Sequence, residues 1–136
     1  QLDQQPVDDA PRRRLEAALA DLAGVRWGQS QISVPGAQAL LLDPGRAAGP
    51  PEAFLVPGEF AHLHPDPDHS LHVALPPALA QQAVEAGWAE QHPIARRGLI
   101  PPGSVMLYAP RDAAEVDVVA ALARASWAYA RGAATV

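Results

Sequence analysis

The five histidines, at positions 62, 64, 69, 72 and 92, are the side chains with the most chemistry to offer, and all stand between Glu59 and Ile94. An imidazole titrates near neutrality, so it can serve as a general base, an N–H donor or a neutral metal ligand. The residue types around them narrow the field. Without Cys there are no disulfides, thiolate nucleophiles or zinc-thiolate sites. The basic residues are all Arg, and the absence of Lys removes Schiff-base chemistry and the P-loop amine.

Spacing places the histidines on a surface. Side chains alternate along a strand, so His62 and His64 share one face while Ala61 and Leu63 take the other. Leu71, Val73 and Leu75 likewise oppose Ser70, His72 and Ala74. If the two strands form a hairpin around 65–69, only an even-with-even register gathers both apolar sets on a common core side. That register puts His62, His64 and His72 in a patch about 5–8 Å across.

Three readings of this patch remain open. It is the solvated face of a half-buried sheet, where polar side chains belong. It binds a divalent transition metal through His62, His64 and His72, with Glu59, Asp66 or Asp68 as a carboxylate partner. Or one His is a general base whose neighbours orient it or stabilise an oxyanion.

The elements that must hold this patch are marked by periodicity and punctuation. Residues 1–10 lack apolar periodicity and read as a loose arm; residues 11–132 read as a single domain. Leu15, Ala18, Leu19 and Leu22 form a helical stripe from Pro11, with Asp9 as cap and Gly24 as stop. Strands are expected at 31–34, 39–42, 53–56, 59–64 and 70–75, with a Pro- and Gly-rich loop over 43–51. A helix from Pro77 to Ala86 stops at Gly87, a further strand covers Ser104 to Ala109, and Asp112 with Glu115 caps a last helix. The order helix, several strands, helix, strand, helix predicts an α+β fold: a small antiparallel sheet with helices packed on one face.

A chain of 136 residues with 49% hydrophobic content supports one core. A net charge of −5, with short basic clusters at Arg12–Arg14 and Arg96–Arg97, is the wrong balance for a nucleic-acid partner. No apolar run is long enough to span a bilayer. The chain opens at Gln1 rather than Met, which leads us to expect removal of something upstream and leaves cytoplasm and export both open. Oligomeric state is not legible.

The string Glu59-Phe60-Ala61-His62-Leu63-His64, followed by Leu71-His72-Val73-Ala74-Leu75, resembles the core signature of fungal luciferases and their bacterial relatives. Gly87-Trp88, Gln91-His92-Pro93-Ile94-Ala95, the Pro101-Pro102 pair and Leu107-Tyr108-Ala109-Pro110-Arg111 continue that pattern in order, over about residues 59–131. The resemblance implies an oxygenase of a hydroxylated α-pyrone, 3-hydroxyhispidin, that uses molecular oxygen as co-substrate and no other cofactor. The fungal enzymes carry an amino-terminal membrane segment with no counterpart in this sequence. The implied base is His62, His64, His72 or His92; the implied oxyanion donors are Tyr108 and Arg111; Glu59 and Trp88 are implied to contact substrate. Beside these stand plainer roles: Tyr108 as a core aromatic with a wet hydroxyl, Arg111 paired to Asp112 or Glu115, and Trp88 as a packing anchor. His69 has no place in the pattern and reads as a loop residue. A non-catalytic ligand-binding domain remains the further alternative.

Overall fold

The register demanded by apolar alternation is the one found: Ala61 pairs with Val73, His62 with His72 and Leu63 with Leu71. The structure is a computed structural model that describes residues 9–133. Its elements are α1 (Ala10–Leu19), β1 (Val25–Gln29), β2 (Gln38–Leu42), β3 (Glu59–Leu63), β4 (Leu71–Ala74), α2 (Pro77–Glu85), β5 (Ala89–Gln91), α3 (Pro93–Arg96), β6 (Ser104–Leu107) and α4 (Ala113–Ala130). The strands make one fully antiparallel sheet in the order β1-β2-β3-β4-β6-β5, so the fold is α+β.

One core collects the odd-numbered strand residues Ala61, Leu63, Leu71, Val73, Val105 and Leu107 with Leu15 and Leu19 of α1, Ala80 and Ala83 of α2, and the α4 stripe. These three helices pack on that side. Asp112 caps α4 by accepting from the Glu115 amide at 2.8 Å, and Ser126 ties the helix to the sheet through the Ala74 carbonyl at 2.6 Å. On α1, the buried Arg12 guanidinium donates to the His64 carbonyl at 2.5 Å and to Gln38 at 2.9 Å, which fastens the helix to the end of β3. Leu75 donates its amide to the Gly103 carbonyl at 2.9 Å. A Cβ on Gly103 would lie 2.0 Å from the Leu75 oxygen, so only glycine allows this approach.

Several expectations are corrected. Residues 31–34 and 53–56 form no strands: the first is an irregular loop, and the second leaves a 3₁₀ turn at Pro51–Ala53 and makes only the Val56–Glu59 bridge. Ile32, Val34, Phe54 and Leu55 line a cavity rather than pairing with a neighbouring strand. A strand at Val25–Gln29 and another at Ala89–Gln91 were not foreseen, because neither alternates cleanly and both are held by pairing to a neighbour. The loop over 43–51 contains a second 3₁₀ turn at Pro44–Arg46. Asp9 occupies the N-cap position of α1 without a side-chain capping bond, and the helix ends before Gly24. Residues 1–8 of the expected arm lie outside the described residues, and Ala10 is already helical.

A register shift between β2 and β3 decides where Glu59 goes. Leu40 pairs with Ala61 but Leu41 pairs with Glu59, so Phe60 is the extra residue of a β-bulge. The bulge reverses the alternation: Phe60 joins the core, and Glu59 reaches the histidine face, bonded to His62.

Candidate histidine cavity

The even-numbered positions assemble the site. His62 comes from β3 and His64 from the position that follows it, His72 from β4, and Ser104 and Met106 from β6. His92 follows β5, held in place by its amide bond to the Ser104 carbonyl at 3.2 Å. The rings of His62 and His64 stand 4.9 Å apart, those of His62 and His72 5.0 Å, and those of His72 and His92 stack at 4.7 Å. All four line a cavity of about 570 Å³ whose walls are largely apolar, including Ile32, Val34, Phe54, Ile100 and Met106. The face is therefore not solvated: His62, His64 and His72 are 2%, 4% and 6% exposed.

Each ring has a hydrogen-bond partner, and for three of them the partner decides which nitrogen carries the hydrogen. His62 Nδ1 lies 2.9 Å from a Glu59 carboxylate oxygen, and a carboxylate accepts only, so Nδ1 carries the hydrogen and Nε2 the lone pair. Glu59 also accepts from the Ser30 hydroxyl at 2.7 Å and the Gln31 amide at 3.2 Å. His64 repeats the arrangement through a relay. The Ser70 hydroxyl gives its one hydrogen to Asp68, so it accepts from His64 Nδ1 at 2.9 Å and again leaves Nε2 as the lone pair. His92 has the opposite polarity, because its Nδ1 accepts the Ile94 amide at 3.2 Å and a neutral ring must then carry its hydrogen on Nε2. His72 Nε2 is 2.6 Å from the Ser104 hydroxyl.

Three of the four rings are held toward the neutral form. Burial, then repulsion from a charged His62, pushes His64 down to about 4. Burial, with His62, His92 and His64 around it, pushes His72 down to about 2. Burial also lowers His92. Burial by itself raises the Glu59 carboxyl, but the bonds from His62, Ser30 and Gln31 outweigh it and hold the group below its ordinary value. With Glu59 bonded to Nδ1, the remaining nitrogen of His62 that could act as a base is Nε2, in a cavity that His92 also lines.

One nitrogen of each ring is engaged, Nδ1 of His62 and of His64 by Glu59 and Ser70 and Nε2 of His72 by Ser104, which leaves the other nitrogen of each as the donor a metal would use. Among the described residues, the group that brings three such donor atoms within 4.8 Å of one another is Asp9, Asp66 and His69, at the other end of the hairpin. His69 belongs to the loop as expected, yet it is buried, with φ of 60° and a hydrogen bond to Asp66.

Three implied residues stand outside the cavity lining. Trp88, Tyr108 and Arg111 line a separate depression of about 60 Å³. The Tyr108 hydroxyl donates to Glu90 at 2.8 Å, Arg111 is exposed and paired to Glu115 at 2.6 Å, and Trp88 packs against the core. Glu59 does not touch the cavity either; it acts through His62. Sequence reasoning missed Ser30, Ser70 and Ser104, which carry no signal without the fold. Glu59 does carry one, since an acid followed by Phe60 inverts the polar-apolar alternation of the strand and marks the bulge.

Residues 57–126 match the luciferase domain family. Over 73 residues the chain is 37% identical to the luciferases of Armillaria mellea, Armillaria ostoyae and Neonothopanus nambi, covering 52% of this chain and 27% of each relative. The matched part of the chain thus spans about a quarter of the length of these curated relatives. No solved structure matches the chain.

Proposed function

The chain belongs to the luciferase domain family, and on that premise we propose that it is an oxygen-dependent small-molecule enzyme whose base is His62, oriented by Glu59. The substrate class is a hydroxylated α-pyrone, 3-hydroxyhispidin or a related enolisable ring. One observation carries the reading: a buried carboxylate–imidazole pair presents a bare Nε2 to an apolar cavity.

His62 Nε2 takes the proton of the ring hydroxyl, and the resulting enolate is electron-rich enough to add dioxygen. His92 Nε2–H, directed by the Ile94 amide on its other nitrogen, stabilises the oxyanion. Both oxygen atoms enter the substrate before carbon dioxide leaves, so no external reductant is consumed. His64 and His72, kept neutral by burial, shape the floor without a competing charge. The apolar walls exclude water and accept a flat ring.

Incubation with 3-hydroxyhispidin, recording oxygen uptake, product mass and light, tests this. Turnover is expected for the wild type and its loss in the His62→Ala, His72→Ala double variant. No uptake by wild type, or full uptake by the double variant, removes the proposal. Activity restored only by an added divalent transition metal would replace it with the metal-dependent alternative.

A further inference from the structure

The mouth of the cavity is edged with exposed apolar side chains. Among the described residues the large exposed ones are Ile32 (45%), Val34 (41%), Val84 (37%), Ile94 (42%) and Leu99 (72%). Ile32, Val34 and Ile94 line the cavity, and Leu99 adjoins Ile100, which does too. Val84 alone stands apart, on α2. One exposed apolar residue needs no cause, but four gathered at a single opening do.

Charge adds an independent sign. Between Gln91 and Arg111 the chain holds Arg96, Arg97 and Arg111 with no Asp or Glu, in a protein of net charge −5. Arg111 is committed to Glu115, whereas Arg96 and Arg97 are exposed and form no ion pair among the described residues. Both adjoin the Ile94–Leu99 stretch in sequence, Arg96 also donating to the Gln91 carbonyl at 3.4 Å, and Glu52 is the acidic side chain in the cavity lining. Exposed apolar tips beside unpaired Arg are the composition that enters the interface of an anionic bilayer.

We propose that this rim docks on an anionic lipid surface, with Ile94 and Leu99 at the acyl boundary and Arg96 and Arg97 among the headgroups. The cavity then opens toward the membrane, and its ligand arrives from the lipid phase. A second copy of the chain fits less well. A face-to-face pair would oppose two Arg clusters that form no ion pair among the described residues. The inference rests on the cavity mouth and not on the reaction proposed for its floor.

Co-sedimentation with phosphatidylcholine vesicles, and with vesicles containing about a third phosphatidylserine, tests it. Wild type is expected to sediment with the anionic vesicles, weakly with the neutral ones, and less as salt rises. Leu99→Asp lowers partition about tenfold or more. Arg96→Gln with Arg97→Gln lowers it about fivefold per Arg. Val84→Asp, away from the mouth, leaves it unchanged, and thermal melts confirm that each variant is folded. His62→Ala sediments like wild type, so failure of docking and failure of the reaction are told apart. Absence of wild-type binding to anionic vesicles overturns the proposal, as does a Leu99→Asp variant that binds equally. A vesicle-free dimer dissolved by Leu99→Asp also overturns it and assigns the rim to a second copy.

Discussion

Two regions carry the luciferase pattern, and they are built in different ways. In the cavity, four imidazoles are brought together by strand register and β5–β6 pairing, each is hydrogen-bonded, and in His62, His64 and His92 the partner defines a ring nitrogen. At the corner formed by Trp88, Tyr108 and Arg111, the polar groups satisfy one another: Tyr108 with Glu90, Arg111 with Glu115. Burial raises the cost of any unpaired charge in the first region, so its pKa values move and its proton positions are fixed. In the second, water screens the charges, and pairing there contributes little to either stability or reactivity. Residues shared with a family's pattern thus divide into those that face the reacting space and those that brace its frame.

The sharpest way to break the contrast is to remove one group from each side. His62→Ala should lower kcat/KM for oxygen uptake by about 10³-fold, whereas Arg111→Ala should change it by no more than about twofold. A large Arg111→Ala effect would place the corner in the chemistry after all. Glu59→Gln should lower kcat by about 10²-fold with little change in KM, since an amide can donate to Nδ1 and move the hydrogen to Nε2. Unchanged kcat in that variant would show that Glu59 only fills space.

The third contrast is with acid. His64 and His72 stay neutral when folded but protonate near 6.5 when unfolded, so the unfolded chain binds more protons as pH falls. Their contribution to stability is complete above about pH 6.5 and declines below it, by up to about 1.4 kcal/mol per pH unit for each ring, until the folded group protonates. For His64 that occurs at about 4. Urea midpoints between pH 7 and pH 4 check this, and a flat profile would mean that the rings are more hydrated than their burial indicates. The smallest effect is expected from Tyr108→Phe. Losing the Glu90 bond should cost no more than about 1 kcal/mol and leave turnover intact, measurable by paired melts and oxygen uptake.

Legibility followed the range of the forces involved. The β3–β4 hairpin, α2 and α4 were readable because alternation, Gly87 and the Asp112 cap act within a few residues. Segments 31–34 and 53–56 misled because an apolar run looks the same whether it buries against a strand or walls a cavity. The brief strand Ala89–Gln91 escaped because its pairing with β6 is all that makes it a strand. Arg111 took its plainer role beside Glu115, whereas Tyr108 lies outside the core cluster with its hydroxyl on Glu90, a partner spacing alone could not supply.

By itself, then, the sequence determined that His62, His64 and His72 share one face, because a period of two admits a single register that keeps Leu63 and Leu71 inside. Only the tertiary structure decided that this face is roofed rather than solvated, that the bulge at Phe60 swings Glu59 behind His62, and which group each ring bonds to. The reason is distance along the chain. The partners that settle those points, Ser30 for Glu59 and Ser104 for His72, come from segments about thirty positions away, and only folding brings them within hydrogen-bond reach.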